Sequence, residues 1–477
     1  MPTRILHAAT RAAYAAAASQ QEQCEAVRSA FGGNVTLRIE GAGGQHLRTM
    51  TLGPLSINTA TPRGIVCGSV LADTAVAPAA PGAAGIAPTR WEFRAGSTPI
   101  FDSDEIVQGP IRTLCSPRFG SVVFTANPLL PVALPPSWYP DVGECVAIPG
   151  STTIGTAVRA MGANSYAGID PDNIVDPWSG GAIVSVGGQP YLVVMGGGHG
   201  DSGWNGIVKF GPLYGAGSNA PAWTPFLAAS AAGDVVSGAT YLDGRQSSVH
   251  TYNNLVGVGD TLFSVRTDGY YQSGSSSPLG FEFTPAGQTS IASYPGGAQF
   301  NAAAHYNGSV YSIGANAAFD RLRIYNIATN TYTSEVNADI ALTNYVGAAV
   351  DSTRGRLLVI GGAGGGAISD SAYWNLSGLT RTLNVTRPSG WVASLEYDPD
   401  RDAFVSLQSA SLTLLEASAS ALAAGSGATW VGRTFTGSTP PAVPVQGNFG
   451  RFRYVPELKG YVLAPGLEAS VYFFRSA

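Results

Sequence analysis

Charge is scarce in this chain. Lys, Arg, Asp and Glu make up 12% of its 477 residues, and 26 basic against 31 acidic side chains leave a net charge of −5. The charges are scattered without a basic stripe, so nucleic acid is not an expected partner. Long apolar runs are missing too. No segment reaches the roughly 18 uninterrupted apolar residues of a membrane span, and no membrane partner is expected. The alanine-rich stretch His7 to Ser19, preceded by Arg4, has the outline of an export signal. Arg11 interrupts it and alanine is only weakly apolar, so no continuous hydrophobic region forms and a soluble chain is expected.

Cysteine is rare: Cys24, Cys67, Cys115 and Cys145, with no pair at metal-ligand spacing. Two disulfides in any of three pairings stay open, beside the simpler reading of small, partly buried free thiols. Glycine (61) and proline (31) are abundant and 45% of residues are hydrophobic. That is the composition of a turn-rich, folded β protein.

Six apolar signatures punctuate the last 290 or so residues: Tyr191-Leu-Val-Val-Met, Leu262-Phe-Ser-Val, Val310-Tyr-Ser-Ile, Leu357-Leu-Val-Ile, Phe404-Val-Ser-Leu and Tyr461-Val-Leu-Ala. Their starts lie 71, 48, 47, 47 and 57 positions apart. A period in the forties with several short strands per unit predicts a propeller of four-stranded blades. A tight turn precedes each signature, as at Gly187-Gly-Gln-Pro, Tyr306-Asn-Gly, Asp351-Ser-Thr-Arg-Gly and Asp398-Pro-Asp-Arg-Asp. These are hairpin chemistries. A third short run follows every signature, and a fourth follows in five repeats. The sixth has no fourth run before Ala477, so a segment within 142–162 is expected to complete the last blade and spare it an unpaired edge.

Before the repeats, residues 3–30 read as an alanine-rich helix stopped by Gly32-Gly33, followed by strands of alternating polarity. Prolines at 128, 131, 135, 136 and 140 predict a stiff extended spacer. The expected organisation is therefore mainly β. A helix-plus-antiparallel-sheet domain (1–125) leads through a proline-rich linker (126–141) to a six-bladed β-propeller (142–477).

Two resemblances carry the reading further. Gly33-Asn-Val-Thr-Leu-Arg-Ile-Glu-Gly and Gly85-Ile-Ala-Pro-Thr-Arg-Trp-Glu-Phe-Arg-Ala-Gly, behind the alanine-rich helix, resemble a small module of tailed-phage and prophage virion proteins. Cys67 and Cys115 fall outside that pattern, which covers roughly residues 3–125 and implies attachment rather than catalysis. Trp178-Ser-Gly-Gly-Ala, Gly196-Gly-Gly-His-Gly-Asp-Ser-Gly-Trp-Asn and the Gly-Gly doublet at 361–362 resemble kelch-like propellers. Blades two, three, five and six lack the doublet, which makes this a degenerate relative.

Little in the sequence points to catalysis. His199, His250 and His305 fall in consecutive repeats and could in principle meet at a metal. The simpler reading is imidazoles bonded to backbone between blades, so no metal or other cofactor is expected. Kelch-like copper oxidases use a cysteine-crosslinked tyrosine, and no cysteine follows Cys145. Asp398, Asp400 and Asp402 share one turn and read as turn formers rather than a glycosidase pair. Binding asks for less: aromatic and amide side chains suffice to stack on and hydrogen-bond a sugar. The candidates are Trp204 with Asn205, Tyr252 with Asn253, Tyr270, Tyr271 and Tyr306. The function expected is that of a non-enzymatic virion protein, tail-associated or surface-displayed. It is multimeric in the particle, held to other virion proteins through residues 1–125, with a propeller that binds host-surface glycan or protein. The alternatives are a purely structural virion decoration and a secreted kelch-like carbohydrate-active enzyme.

Overall fold

The computed structural model describes the strands of residues 35–125, residues 135–149 and 153–163, and most of 178–477. Short stretches at 198–201, 274, 297–298, 316–320, 338–344 and 362–370, within 384–393, and at 408–410, 425–427 and 442–447 are left out. The helix expected over 3–30 lies outside the described residues. The chain divides into two compact units, 1–134 and 135–477. In the first, β1 (Val35–Gly41), β2 (His46–Leu52), β4 (Ile65–Ala75), β5 (Pro88–Ala95), β6 (Thr98–Asp102), β7 (Thr113–Leu114) and β8 (Ser121–Thr125) form one sheet in the order β6-β5-β1-β2-β4-β8-β7. The short β3 (Ser56–Asn58) pairs with β4.

The second unit opens with β9 (Glu144–Ala147) and a short helix, α1 (Ile154–Ala160), capped by Thr153. Blade I follows as β10 (Gly180–Val186), β11 (Gln189–Met195), β12 (Ile207–Gly211) and β13 (Ala222–Leu227). Blade II comprises β14 (Leu255–Val258), β15 (Thr261–Ser264), β16 (Gly280–Thr284) and β17 (Gly287–Ile291). Blade III has β18 (Gln299–Tyr306), β19 (Ser309–Ala315), β20 (Arg321–Asn326) and β21 (Thr331–Asn337). Blade IV has β22 (Gly347–Asp351), β23 (Arg356–Ile360), β24 (Ser371–Asn375) and β25 (Thr380–Leu383), and blade V β26 (Glu396–Asp398), β27 (Ala403–Ser406), β28 (Thr413–Ser418) and β29 (Val431–Thr434). Blade VI takes β30 (Thr436–Gly437), β31 (Phe452–Val455), β32 (Gly460–Leu463) and β33 (Tyr472–Arg475).

Strands within blades I to V pair antiparallel in chain order. The first strands β10, β14, β18, β22, β26 and β31 neighbour one another around the axis, and β31 returns to β10. Six blades close the ring. At the axis the backbones run close together, which is why glycine recurs there. A side chain at Gly180 would meet the Tyr252 carbonyl, and one at Gly257 the Ile183 carbonyl.

The six signatures are the second strands. Each is mainly apolar because a blade is covered on both sides, and the polar exceptions Ser264, Ser312 and Ser406 are buried as well. Leu192 and Val194 pack toward Val455, Val462 and Phe473 of blade VI, whereas Val193 and Met195 pack toward Leu255, Leu262 and Phe281 of blade II. Leu357 and Val359 face blade III while Leu358 and Ile360 face blade V. A strand buried on both faces reads as a continuous apolar run.

Blade VI is completed from the other end of the unit. β9 pairs antiparallel with β33, with Val146 opposite Phe473 and Cys145 opposite Phe474. On its far side β9 pairs in parallel with β30, so the sheet runs β30-β9-β33-β32-β31. The stretch before it also belongs to this unit. Trp138 is buried against Phe473 and donates from Nε1 to the Ser218 carbonyl at 2.7 Å, and the Tyr139 hydroxyl donates to the Leu458 carbonyl at 2.5 Å. From Pro135 onward, the proline-rich stretch is a packed part of the ring rather than a free spacer. Cys145 is a free, buried thiol whose pKa burial pushes up to about 12.

The antiparallel order gives the ring two unlike faces. Hairpins between first and second strands line a turn face, while the connections leaving second strands and entering first strands line a loop face. The turn face of blades IV to VI carries a cluster of ion pairs. Asp398 accepts from the backbone amides of Asp400 and Arg401 at 3.0 and 3.2 Å, and from the Tyr461 hydroxyl at 2.5 Å. Asp400 accepts from the Tyr454 hydroxyl and lies 3.2 Å from Lys459 Nζ. Asp402 is gripped by both terminal nitrogens of Arg354, at 2.6 and 2.8 Å, which ties blade IV to blade V.

Two predictions follow from this geometry. Val146→Pro deprives the closing strand of a ladder amide and is expected to lower stability by on the order of 1–3 kcal/mol, read from the urea midpoint. Hydrogen bonds from Arg354 hold the Asp402 carboxyl below the usual range. Its stabilising effect is therefore present at neutral pH and lost as pH falls below the unfolded value of about 4. Asp402→Asn is expected to flatten the loss of stability between about pH 5 and pH 3, measured by thermal melts across that range.

Candidate functional site

Where the chain enters a first strand on the loop face, four blades place an aromatic residue. Trp178 precedes β10, Tyr252 precedes β14, Tyr345 precedes β22 and Phe449 precedes β31. All four take left-handed backbone conformations, with φ of 68°, 42°, 67° and 42°. For a bulky residue that costs about 1–3 kcal/mol, and such strain concentrates at functional sites.

The rings gather at the loop-face end of the axis. Tyr252 lies 5.8 Å from Tyr345 and 5.4 Å from Phe449, and Tyr345 lies 5.7 Å from Phe449, between ring centroids. The Trp178 indole donates to the Tyr345 hydroxyl at 3.2 Å. His250 lies against Trp178 at 4.6 Å, and its Nδ1 is 3.2 Å from the Tyr252 hydroxyl. Gly269 leaves room for that imidazole, since a side chain there would crowd it. Phe449, Tyr252 and His250 are buried, while Trp178 and Tyr345 stay half-buried and give the collar its outer surface.

A guanidinium crosses the axis beneath the collar. Arg453 of β31 donates to the carbonyls of Gly181 in β10 and Leu255 in β14, and pairs with Glu396 of β26 at 2.6 Å. One side chain thus joins blades I, II, V and VI. Burial pushes the Glu396 carboxyl upward against the pull of Arg453. Arg451, fully buried beside it, donates to the carbonyls of Ser179 and Ala464.

The residues picked from sequence are scattered over this frame. Tyr252 belongs to the collar. Asn253, its neighbour, donates to the Val346 carbonyl at 2.7 Å and so links blade II to blade IV. Trp204 is 1% exposed and packs in the core shared by blades I and VI, which leaves its ring no open face for stacking. Asn205 is consumed by its own loop: it donates to Ser230 Oγ and the Gln246 carbonyl and accepts from the Ser230 amide. Tyr271 is buried, and Tyr270 is half-buried at the edge of the core between blades I and II. Tyr306 ends β18 at the hairpin, on the turn face, away from the collar.

His250 and His305 do not converge as a metal site would need. His250 stands at the loop-face mouth. His305 lies near the turn-face end of β18, opposite Val310. The bridge between Asn253 and Ala302 sets Asn301 level with Tyr252, so His305 is four residues further along the strand, roughly 13 Å. His199 and Asp201 lie outside the described residues. Among the described residues no three metal-ligating side chains come together.

Sequence reasoning missed Trp178, Tyr345 and Phe449 as a group. The available signal was an aromatic two or three positions ahead of each of these first strands, but those strands share no common pattern: β10 and β22 open on glycine and alanine, whereas β31 reads Phe-Arg-Tyr-Val.

No family model matches the chain, and no curated protein matches it. Among solved structures, a chain in a crystal structure of the mitotic checkpoint complex aligns at 12% identity and a TM-score of 0.40, covering 72% of this chain and 97% of that one. A likeness of that size carries no argument, and the six-bladed assignment rests on the strand pairing above.

The axial pair is open to test. Arg453→Met leaves Glu396 without its counter-charge and is expected to cost about 3–5 kcal/mol in chemical unfolding. The double variant Arg453→Met/Glu396→Leu is expected to recover most of that loss. Equal stabilities of single and double variants would mean that the two charges do not depend on each other.

Proposed function

We propose that the second unit is a degenerate kelch-like receptor-binding propeller of a tailed-phage virion. On this reading it binds a host-surface glycan or protein through its loop face. Residues 1–125 hold the protein, in several copies, to other virion proteins. The observation that carries the binding part is the collar: four strained aromatic residues gathered at one mouth, with Trp178 and Tyr345 partly exposed. Aromatic faces bind sugars and peptides without shifted pKa values or metals, and strain at such a place is the expected cost of presenting them. The virion part is supported by the resemblance of residues 3–125.

The test is binding of the labelled full-length protein, displayed on beads so that weak sites act together, to bacterial cells with and without their surface polysaccharide. Saturable binding that is lost on stripping is expected. Trp178→Ala and Tyr345→Ala should each weaken it at least about tenfold, the equivalent of 1.4 kcal/mol. Binding that ignores both substitutions would remove the collar from the interaction, and no binding to any cell would leave a structural decoration.

A further inference from the structure

The backbone of Trp178 is pinned to the entry of blade II. It is left-handed, with φ of 68°, and its carbonyl accepts from the amides of both Thr251 and Tyr252, at 3.1 and 2.8 Å. Two residues on, the Gly180 amide donates to Thr251 Oγ1 at 2.6 Å. These bonds place the main chain but leave the side-chain torsions of Trp178 open.

Two further contacts fix the indole itself. Its Nε1 donates to the Tyr345 hydroxyl at 3.2 Å, and its ring lies against the imidazole of His250, with 4.6 Å between centroids and 33° between planes. His250 is held in its turn. Its backbone amide donates to the Asp268 carbonyl at 3.0 Å, and its Nδ1 lies 3.2 Å from the Tyr252 hydroxyl. Gly269 packs directly on it, since a β-carbon there would come within 2.8 Å of Nδ1. The imidazole is buried while the indole is half-buried. A fixed, buried ring thus backs a partly exposed one.

A contact surface binds better when its plane is set beforehand, because a side chain free to rotate must lose that freedom on binding. We propose that His250 is a positioning residue: it sets the plane in which Trp178 is presented on the loop face, and touches no ligand itself. This rests on the loop face being the binding face. It adds the residue that orders the contact surface before a ligand arrives.

The test uses the full-length protein labelled with 5-fluorotryptophan. The chain has eight tryptophans, and Trp178→Phe assigns the Trp178 fluorine resonance by its absence. His250→Ala is expected to shift and broaden that resonance and to leave the others in place, at a melting temperature within a few degrees of wild type. An unmoved resonance overturns the proposal. So does movement of all eight together, which would make His250 a general packing residue. On bead-displayed protein, His250→Ala should weaken saturable binding to polysaccharide-bearing cells about tenfold. His250→Phe keeps a flat ring against the indole, so it should sharpen the resonance again and bring binding to within about threefold of wild type. If His250→Phe is as poor as His250→Ala, the ring contact is not what sets the indole and the proposal is overturned. Gly269→Ala crowds the imidazole without altering it and should act in the same direction as His250→Ala; no effect there counts against the proposal. If the Trp178 resonance moves while cell binding stays unchanged, the proposal fails and the receptor-binding reading stands. If the wild type binds no cells, that reading fails on its own, and the resonance still decides whether His250 sets the indole.

Discussion

A ring of packed sheets has no free end to spare, and here the closure falls on four residues from the start of the unit. β9 enters between β33 and β30, so both its edges are paired. Without it the last blade would show an open strand edge and one flank of blade VI would lose its cover. The closure is reinforced from the same segment. Ile148, Ile154 and Val158 join the core between blades I and VI together with Trp138, and Arg159 pairs with Glu468 at 2.6 Å. Burial of apolar surface and strand pairing therefore act on the same seam.

The scarcity of charge is resolved by position. Much of what the described residues carry is spent in pairs near the turn face of blades IV to VI. Arg354 grips Asp402, and Glu416 receives Arg401 at 2.8 Å and Arg433 at 3.2 Å. Near-ideal two-pronged guanidinium contacts of this kind bind more firmly than isolated surface pairs. The loop-face mouth is built differently, from aromatic rings, amides and strained backbone. One face is fastened and the other is presented.

The period of the apolar signatures made the blades legible, because a second strand covered on both sides is mainly apolar. The missing fourth run of the last repeat likewise pointed to residues 142–162, and β9 lies within them. The site was far less legible. Trp204, in a run of glycines, looks like an exposed loop residue, yet its loop folds the indole back onto the core beside Gly206, where any side chain would strike the ring. Tyr252 and Tyr306 stand in similar local contexts, each followed by asparagine, but one begins a first strand and the other ends one, so they lie on opposite faces. Collar membership depends on the entry point into a first strand and on a left-handed backbone. Neither leaves a periodic mark, since the connections between blades differ in length.

Arg453 also decides how the collar is held. Its guanidinium is anchored to carbonyls of blades I and II and to a carboxylate of blade V, and it stands second in the strand that Phe449 leads into. The strained aromatics are therefore seated on a crosslink that spans four blades, and a change at Arg453 would loosen the collar and the closure of the ring together.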